Sequence, residues 1–220
     1  MSKYEVFRNR MKTDGNTYTE SLINRTKRVE TRRFLGSPTL SYVDIEGLGK
    51  EVPTIISEDD RFLKKRFLFL PDTEIKVGMI VHQRDKGNKY LALQRSDDDI
   101  YPQLFTELCN HDFEIRKTER ILTGHTPQGR PIYEDFVTVE LVPSVLYTNV
   151  YSTLSNVEIS LPSGALIVRI PYKEEYAELI QKNDEYEMNT GKYIVTEVDL
   201  GYVVYGKEGF LEVTLQRKVE

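Results

Sequence analysis

A basic helical arm followed by two small antiparallel β domains is the fold class this 220-residue sequence predicts. Three observations predict it. Short apolar runs alternate between turn residues from residue 39 onward. A single capped, cation-rich helical pattern precedes them. A cluster of Gly124, Pro127, Gly129 and Pro131 marks either a boundary between two β-rich halves or a long hairpin loop. The expected division is an arm over 1–38, a small β-barrel over 39–120 and an antiparallel β domain with one short helix over 121–220.

The arm comes first. Residues 1–17 read as an extended arm or short helix ending at Asp14-Gly15-Asn16. Thr17-x-x-Glu20 then forms a capping box, in which each side chain satisfies the other residue's free backbone N–H. A helix from about Tyr18 to Arg33 follows, stopped by Gly36 and Pro38. Its apolar stripe of Tyr18, Leu22 and Val29 is thin, so the helix either packs on another surface or stays mobile.

The barrel follows. Residues 39–56 alternate toward strand around a Gly47-Leu48-Gly49 turn. Ser57-Glu58-Asp59-Asp60 is polar, and Phe62 and Phe67–Leu70 lead to a Pro71-Asp72 turn. Residues 75–94 read as a hairpin with a charged tip at 84–88. Ser96–Asp99 and Pro102 interrupt before a last strand around Phe105–Cys109.

In the second domain Phe136–Val142 is a strand. Val157, Ile159 and Leu161 alternate, Pro162-Ser163-Gly164 turns, and Leu166, Val168 and Ile170 alternate back. Pro171 opens a short helix with Tyr172, Tyr176, Leu179 and Ile180 at helical spacing and two glutamates in its first turn. Asn189-Thr190-Gly191 and Lys207-Glu208-Gly209 are turns before strands Tyr193–Val198 and Leu211–Leu215.

Composition narrows the class. Hydrophobic residues at 39% are enough for packed cores, which argues against wholesale disorder. No stretch approaches the roughly 20 apolar residues of a membrane span, so no membrane partner is expected. Met1–Glu5 lacks the apolar core of a signal peptide. The lone Cys109 rules out an internal disulfide framework and fits a reducing compartment, hence a soluble product of a cytoplasm. Charge is unevenly spread: +5 over residues 1–40, −3 over 41–120 and −7 over 121–220. A basic arm on an acidic body fits contact with nucleic acid or with the acidic face of a neighbouring subunit. Fourteen tyrosines and no tryptophan add amphipathic side chains suited to half-buried contacts.

Motifs for chemistry are weak. His82, His111 and His125 have no ligand spacing, and one cysteine cannot complete a zinc site. Cys109-Asn110-His111 puts a thiol near an imidazole without a recognisable oxyanion loop, and reads as a buried strand cysteine. Asp97-Asp98-Asp99 point to opposite faces of a strand and cannot converge on calcium. Gly124-x-x-x-x-Gly129 is followed by Arg130-Pro131 rather than the Lys-Ser/Thr of a phosphate loop. The expectation is no catalytic residue, no cofactor and no metal; an enzyme is the least favoured class.

The binding candidates are two. Arg25, Lys27, Arg28, Arg32 and Arg33 form a basic cluster on the helix, able to contact phosphates, to dock on an acidic neighbour, or simply to stay solvated. No aromatics interleave it for base stacking. Arg84, Asp85 and Lys86 at the hairpin tip are candidates for pairing with a neighbouring subunit.

The segment Phe67–Asn110 resembles the head-closure, or stopper, proteins of tailed-phage necks, in particular the longer versions from phages of Gram-positive hosts. The resemblance rests on Asp72 in a turn, Ile75-x-x-Gly78-x-x-Val81, the aromatic-Leu pair Tyr90-Leu91, and Cys109-Asn110. Relatives often carry Trp where this chain has Tyr90. The motifs span about residues 55–115, and a second β domain beyond them is also similar. The resemblance implies a structural virion protein, made in the host cytoplasm. It implies a self-assembled ring between the portal or adaptor and a tail protein, holding packaged double-stranded DNA. The competing reading is a small-barrel nucleic-acid module using the basic arm.

Overall fold

The computed structural model describes residues 15, 17–58, 63–96, 100–125, 128–148, 150–151, 158–159, 164–188, 191–204 and 206–218. The rest of the N-terminal arm, the Asp97–Asp99 run, Phe62, Val157, Leu161 and the Asn189-Thr190 turn lie outside them. The molecule is mainly β, as its patterning predicts.

Helix α1 spans Tyr18–Leu35 and opens on the predicted capping box: Glu20 N–H donates to Thr17 Oγ1 and Thr17 N–H to Glu20 Oε2, both at 3.2 Å. It packs on its own barrel, through a residue outside the predicted stripe. Phe34, buried in the last turn, stacks on Tyr101 at 5.7 Å. The Tyr101 hydroxyl donates to Glu30 at 2.7 Å, and burial with that carboxylate pushes its pKa up to about 12. Lys27 reaches Asp72 at 2.6 Å. Leu22, Ile23 and Val29 remain exposed.

Six antiparallel strands close a barrel: β1 (Leu40–Ile45), β2 (Gly49–Glu58), β3 (Lys64–Phe69), β4 (Ile80–Gln83), β5 (Asn88–Ser96) and β6 (Gln103–Leu108), in the order β1-β2-β3-β6-β5-β4. Closure between β4 and β1 rests on the pairs Asp44↔His82 and Ile45↔Val81. Alternation sends Val43, Ile45, Phe67, Phe69, Val81, Tyr90, Ala92 and Leu104 inward. Buried Lys65 points in with them, donates to Gln83 Oε1 at 3.2 Å and lies 5.2 Å from the Tyr90 ring centroid. The first arm of the predicted 75–94 hairpin is short. Gly78 takes a left-handed φ of 85°, which breaks the extended chain, so regular pairing with β5 is confined to residues 80–83, with Gly78 and Met79 each adding one backbone bond to Ala92.

The second sheet has the order β12-β13-β14-β11-β8-β7. Its strands are β7 (His111–His125), β8 (Pro131–Tyr147), β11 (Ala165–Pro171), β12 (Glu185–Met188), β13 (Gly191–Asp199) and β14 (Phe210–Arg217). A two-residue pair, β9 (Val150–Tyr151) with β10 (Glu158–Ile159), stands apart. The sheet curls until its ends meet: Phe113 of β7 lies 4.6 Å from Tyr186 of β12, ring to ring. The core holds Phe113, Ile115, Val168, Ile170, Val195, Leu211, Val213 and Leu215. Helix α2 (Glu174–Leu179) seals it with buried Tyr176, and Ile180 follows. This helix is shorter than expected because Pro171 still pairs with Phe210 in the sheet.

The Gly/Pro stretch 121–131 is the end of a hairpin. β7 and β8 pair from His111↔Ser144 to His125↔Pro131, with one bulge between Leu122 and Gly124. Strand β7 begins at His111, so residues 111–120 run with the second sheet rather than with the barrel.

Candidate functional site

Two places stand out: the joint between barrel and sheet, and the far part of the β7–β8 hairpin.

The joint uses the outer face of β4 and β5. Ile80 and Leu91 are register partners there, and they pack against Val145 of β8 and Phe210 of β14. Thus Ile80-Val81 and Tyr90-Leu91-Ala92 are buried consecutively, with one face in the barrel core and the other in the joint. Backbone contacts weld the turn before β4 to the loop before β14. Gly209 N–H donates to Val77 O at 3.0 Å across the joint, while Gly78 N–H donates within the barrel to Ala92 O of β5 at 2.8 Å. A Cβ on Gly78 would sit 1.6 Å from the Gly209 carbonyl oxygen.

Beside this contact lies a chain of polar groups. Arg169 of β11 donates to Glu212 at 2.7 Å and to the Tyr147 hydroxyl at 3.1 Å, and that hydroxyl donates to Glu107 of β6. Burial drives the Tyr147 pKa far above its usual value, so the hydroxyl keeps its proton. The Arg169 guanidinium also lies 4.8 Å from the Tyr147 ring centroid and 5.4 Å from that of Phe210.

Every position that carries the head-closure resemblance has a structural task. Asp72, at φ 67°, receives Lys27 of α1. Gly78 and Leu91 form the joint. Tyr90 fills the barrel. The Cys109 thiol, pushed up to about 12 chiefly by burial, packs at the joint. Asn110 clamps Leu146, donating to its carbonyl at 3.0 Å and accepting from its N–H at 2.7 Å.

The candidate contact residues are placed as follows. Arg25, Arg28, Arg32 and Arg33 are exposed on α1, with Arg33 paired to Glu30 at 2.8 Å. Lys27 is half-buried by its bond to Asp72. Arg84, Asp85 and Lys86 are exposed in the β4–β5 turn. Arg84 is held by its own barrel, at 2.6 Å from Asp44 and 3.1 Å from Glu51. That hydrogen bond keeps the Asp44 carboxyl below the usual carboxylate range.

Between the β1–β2 turn and the base of the hairpin runs an open cleft of about 740 Å³, lined by Glu46, Leu48, His82, Leu141, Lys173 and Tyr176 among others. Lys173 bridges it, 3.6 Å from both Glu46 and Glu140. The Tyr176 hydroxyl accepts from Lys173 and donates to Glu140. Among the described residues no three His, Cys, Asp or Glu side chains gather as metal ligands, and no helix is long and apolar enough to cross a membrane.

The hairpin beyond the joint is the feature that strand-by-strand reading missed. From Arg116 to Arg120 and from Pro131 to Leu141 every residue is exposed. Ile121, Leu122, Ile132, Tyr133, Phe136, Val137, Val139 and Leu141 are all open, Val137 at 59% and Leu141 at 61%. Among the described residues β7 pairs only with β8, and β11 meets β8 only at 145–147, so both edges of this ribbon are unpaired. A signal was present: the alternation of Tyr133, Val137, Val139 and Leu141 on one face matches nothing else in the chain that needs covering.

Residues 111–216 match the family model of the YomX C-terminal domain, a little under half of the chain. The matched segment begins with β7 and ends within β14, so it takes in the whole second sheet and the ribbon. The match points to a phage-related protein. No curated protein and no solved structure matches the chain.

Proposed function

We propose that this chain is a structural subunit of a tailed-phage particle. It forms a ring in the neck between portal or adaptor and tail, which helps retain packaged double-stranded DNA and attach the tail. The observation that carries this reading is the pairing of a welded two-domain body with a projecting ribbon. The resemblance positions all serve the joint, the core or the docking of α1, which supports a part whose work is shape. The match of residues 111–216 supports the phage context. In this reading α1 and the 84–86 turn face subunits above or below, and the protein performs no catalysis.

Cross-linking mass spectrometry on purified particles tests it. Cross-links from residues 17–38 or 84–88 to portal, adaptor or tail proteins are expected. Absence of the chain from intact particles overturns the reading.

The second reading is a nucleic-acid module, favoured by the exposed Arg25, Arg28, Arg32 and Arg33 of α1. It predicts duplex binding that weakens steeply with salt and is lost when these four become glutamine.

A further inference from the structure

The β7–β8 ribbon poses a physical problem. A free two-stranded hairpin is at best marginal in water. This one also leaves large apolar side chains open on both faces, Leu122, Tyr133, Val137, Val139 and Leu141 on one and Ile121, Ile132 and Phe136 on the other. Two open edges of unpaired backbone add a template for further strands. Among the described residues nothing covers its outer part.

The charges of the ribbon name the occupant. In the stretch beyond the joint, β7 carries Arg116, Lys117 and Arg120 against one acid, Glu119. Facing stretches of β8 carry Glu134, Asp135 and Glu140 and no base. One edge strand is therefore basic and the other acidic. Arg116 is engaged within its own chain, by Glu114 and by the Glu185 carbonyl, each at 3.3 Å; the other pairs leave Lys117 and Arg120 largely available. Arg120–Asp135 is long, at 3.9 Å, and Lys117 reaches Glu119 and Glu175 at 3.3 and 3.1 Å with half its side chain open. Exposed pairs of this kind are worth little and exchange readily.

We propose that the ribbon is the self-association site of this chain, with the acidic β8 edge of one copy pairing antiparallel to the basic β7 edge of the next. Directly opposed residues of neighbouring strands lie about 5 Å apart, so opposite charges gain and like charges lose. A two-fold dimer would set β7 against β7 or β8 against β8, which brings together two net-basic stretches or two wholly acidic ones. The charge pattern rejects both. It selects the head-to-tail arrangement, the kind that generates a ring when the rotation closes. Adjacent strands in such an assembly flank Val137, Val139 and Leu141 and satisfy the open edges. The inference deepens the neck reading and rests on it only for the closed ring; the edge pairing stands on the ribbon itself.

The test is a charge swap on the full-length chain. One variant carries Glu134→Lys and Asp135→Lys, the other Lys117→Glu and Arg120→Glu. Mass photometry and light scattering report assembly at low salt, and circular dichroism reports the fold. The wild type is expected to form oligomers, each variant alone to be monomeric, and an equimolar mixture to regain the oligomer mass, because each variant's reversed edge then meets an opposite partner. Rescue by mixing also shows that the variants fold. A monomeric wild type, variants that keep the wild-type mass, or a mixture that stays monomeric overturns the inference, including the case where another particle protein covers the ribbon. An oligomer that obeys the swap yet is missing from particles fails the neck reading alone. A chain found in the neck whose mass ignores the swap fails the ribbon inference alone.

Discussion

Strand β8 passes through two environments within seventeen residues. At its end Val145 is 2% exposed in the joint; six residues earlier Val139 is 49% exposed on the ribbon. Both are valines in an alternating apolar stretch, and neither looks different in sequence. The difference lies in what arrives from elsewhere. Ile80, Leu91 and Phe210 converge on Val145, whereas Val139 has only its hairpin partner strand β7 beside it among the described residues. The joint is closed within one chain, whereas among the described residues the ribbon is left open, and the proposed pairing would complete it with a second copy. A subunit built to assemble needs both: a rigid body that fixes geometry and an element whose stability depends on the neighbour.

The joint is where the contrast breaks most severely. Gly78 combines a left-handed φ of 85° with a Cβ position 1.6 Å from a backbone oxygen. Gly78→Ala is expected to cost about 3–5 kcal/mol, from backbone strain plus a forced separation of the two domains. Urea unfolding followed by tyrosine fluorescence measures it. A loss under about 1 kcal/mol would mean that the 77–79 turn moves freely and that the weld is not rigid.

A milder substitution placed at two points of β8 sharpens the comparison. Val145→Thr buries a hydroxyl at the joint and is expected to destabilise by about 2 kcal/mol. Val139→Thr should change monomer stability by no more than about 0.5 kcal/mol, as exposed sites usually do. Equal effects at both sites would show that the ribbon is covered within the monomer.

Much of this fold was legible. The Thr17/Glu20 box sets the helix start, because both partners sit within one turn. The alternation in Leu40–Ile45 and Lys64–Phe69 reports faces directly, while Ala165–Pro171 is buried on both faces. What escaped depends on contacts far apart in sequence. Phe34 reads as the tail of a helix until Tyr101 arrives to stack on it. Gly78 reads as one glycine among apolar residues until Gly209, 131 positions later, occupies the space beside it. The ribbon escaped for the converse reason: an alternating strand implies a buried face, and Phe136–Val142 was a strand as expected but with most of its apolar side chains left open. Of the candidate contacts, Arg84 sits beside acids of its own barrel, Asp44 and Glu51, 40 and 33 positions earlier, and local reading has no access to them.

A pH-dependent effect concerns Cys109, at the edge of the joint. Burial raises its thiol to about 12 in the folded chain, against an ordinary value near 9. The neutral thiol is thus the native form, and stability from this group is complete below the unfolded value. It is lost as pH rises from about 9 towards 12, because the unfolded chain then releases a proton that the folded chain retains. Replacing Cys109 with Ala should make that part of the stability profile less steep by one proton, the raised Tyr101, Tyr147 and Tyr186 supplying the slope that remains. The same burial should make alkylation by iodoacetamide at pH 8 far slower than for a free thiol, with a rate that rises in step with urea well before global unfolding only if the joint opens locally. Rapid labelling in the absence of denaturant would place Cys109 in solvent and reduce the joint to the contacts of Ile80, Leu91, Val145 and Phe210.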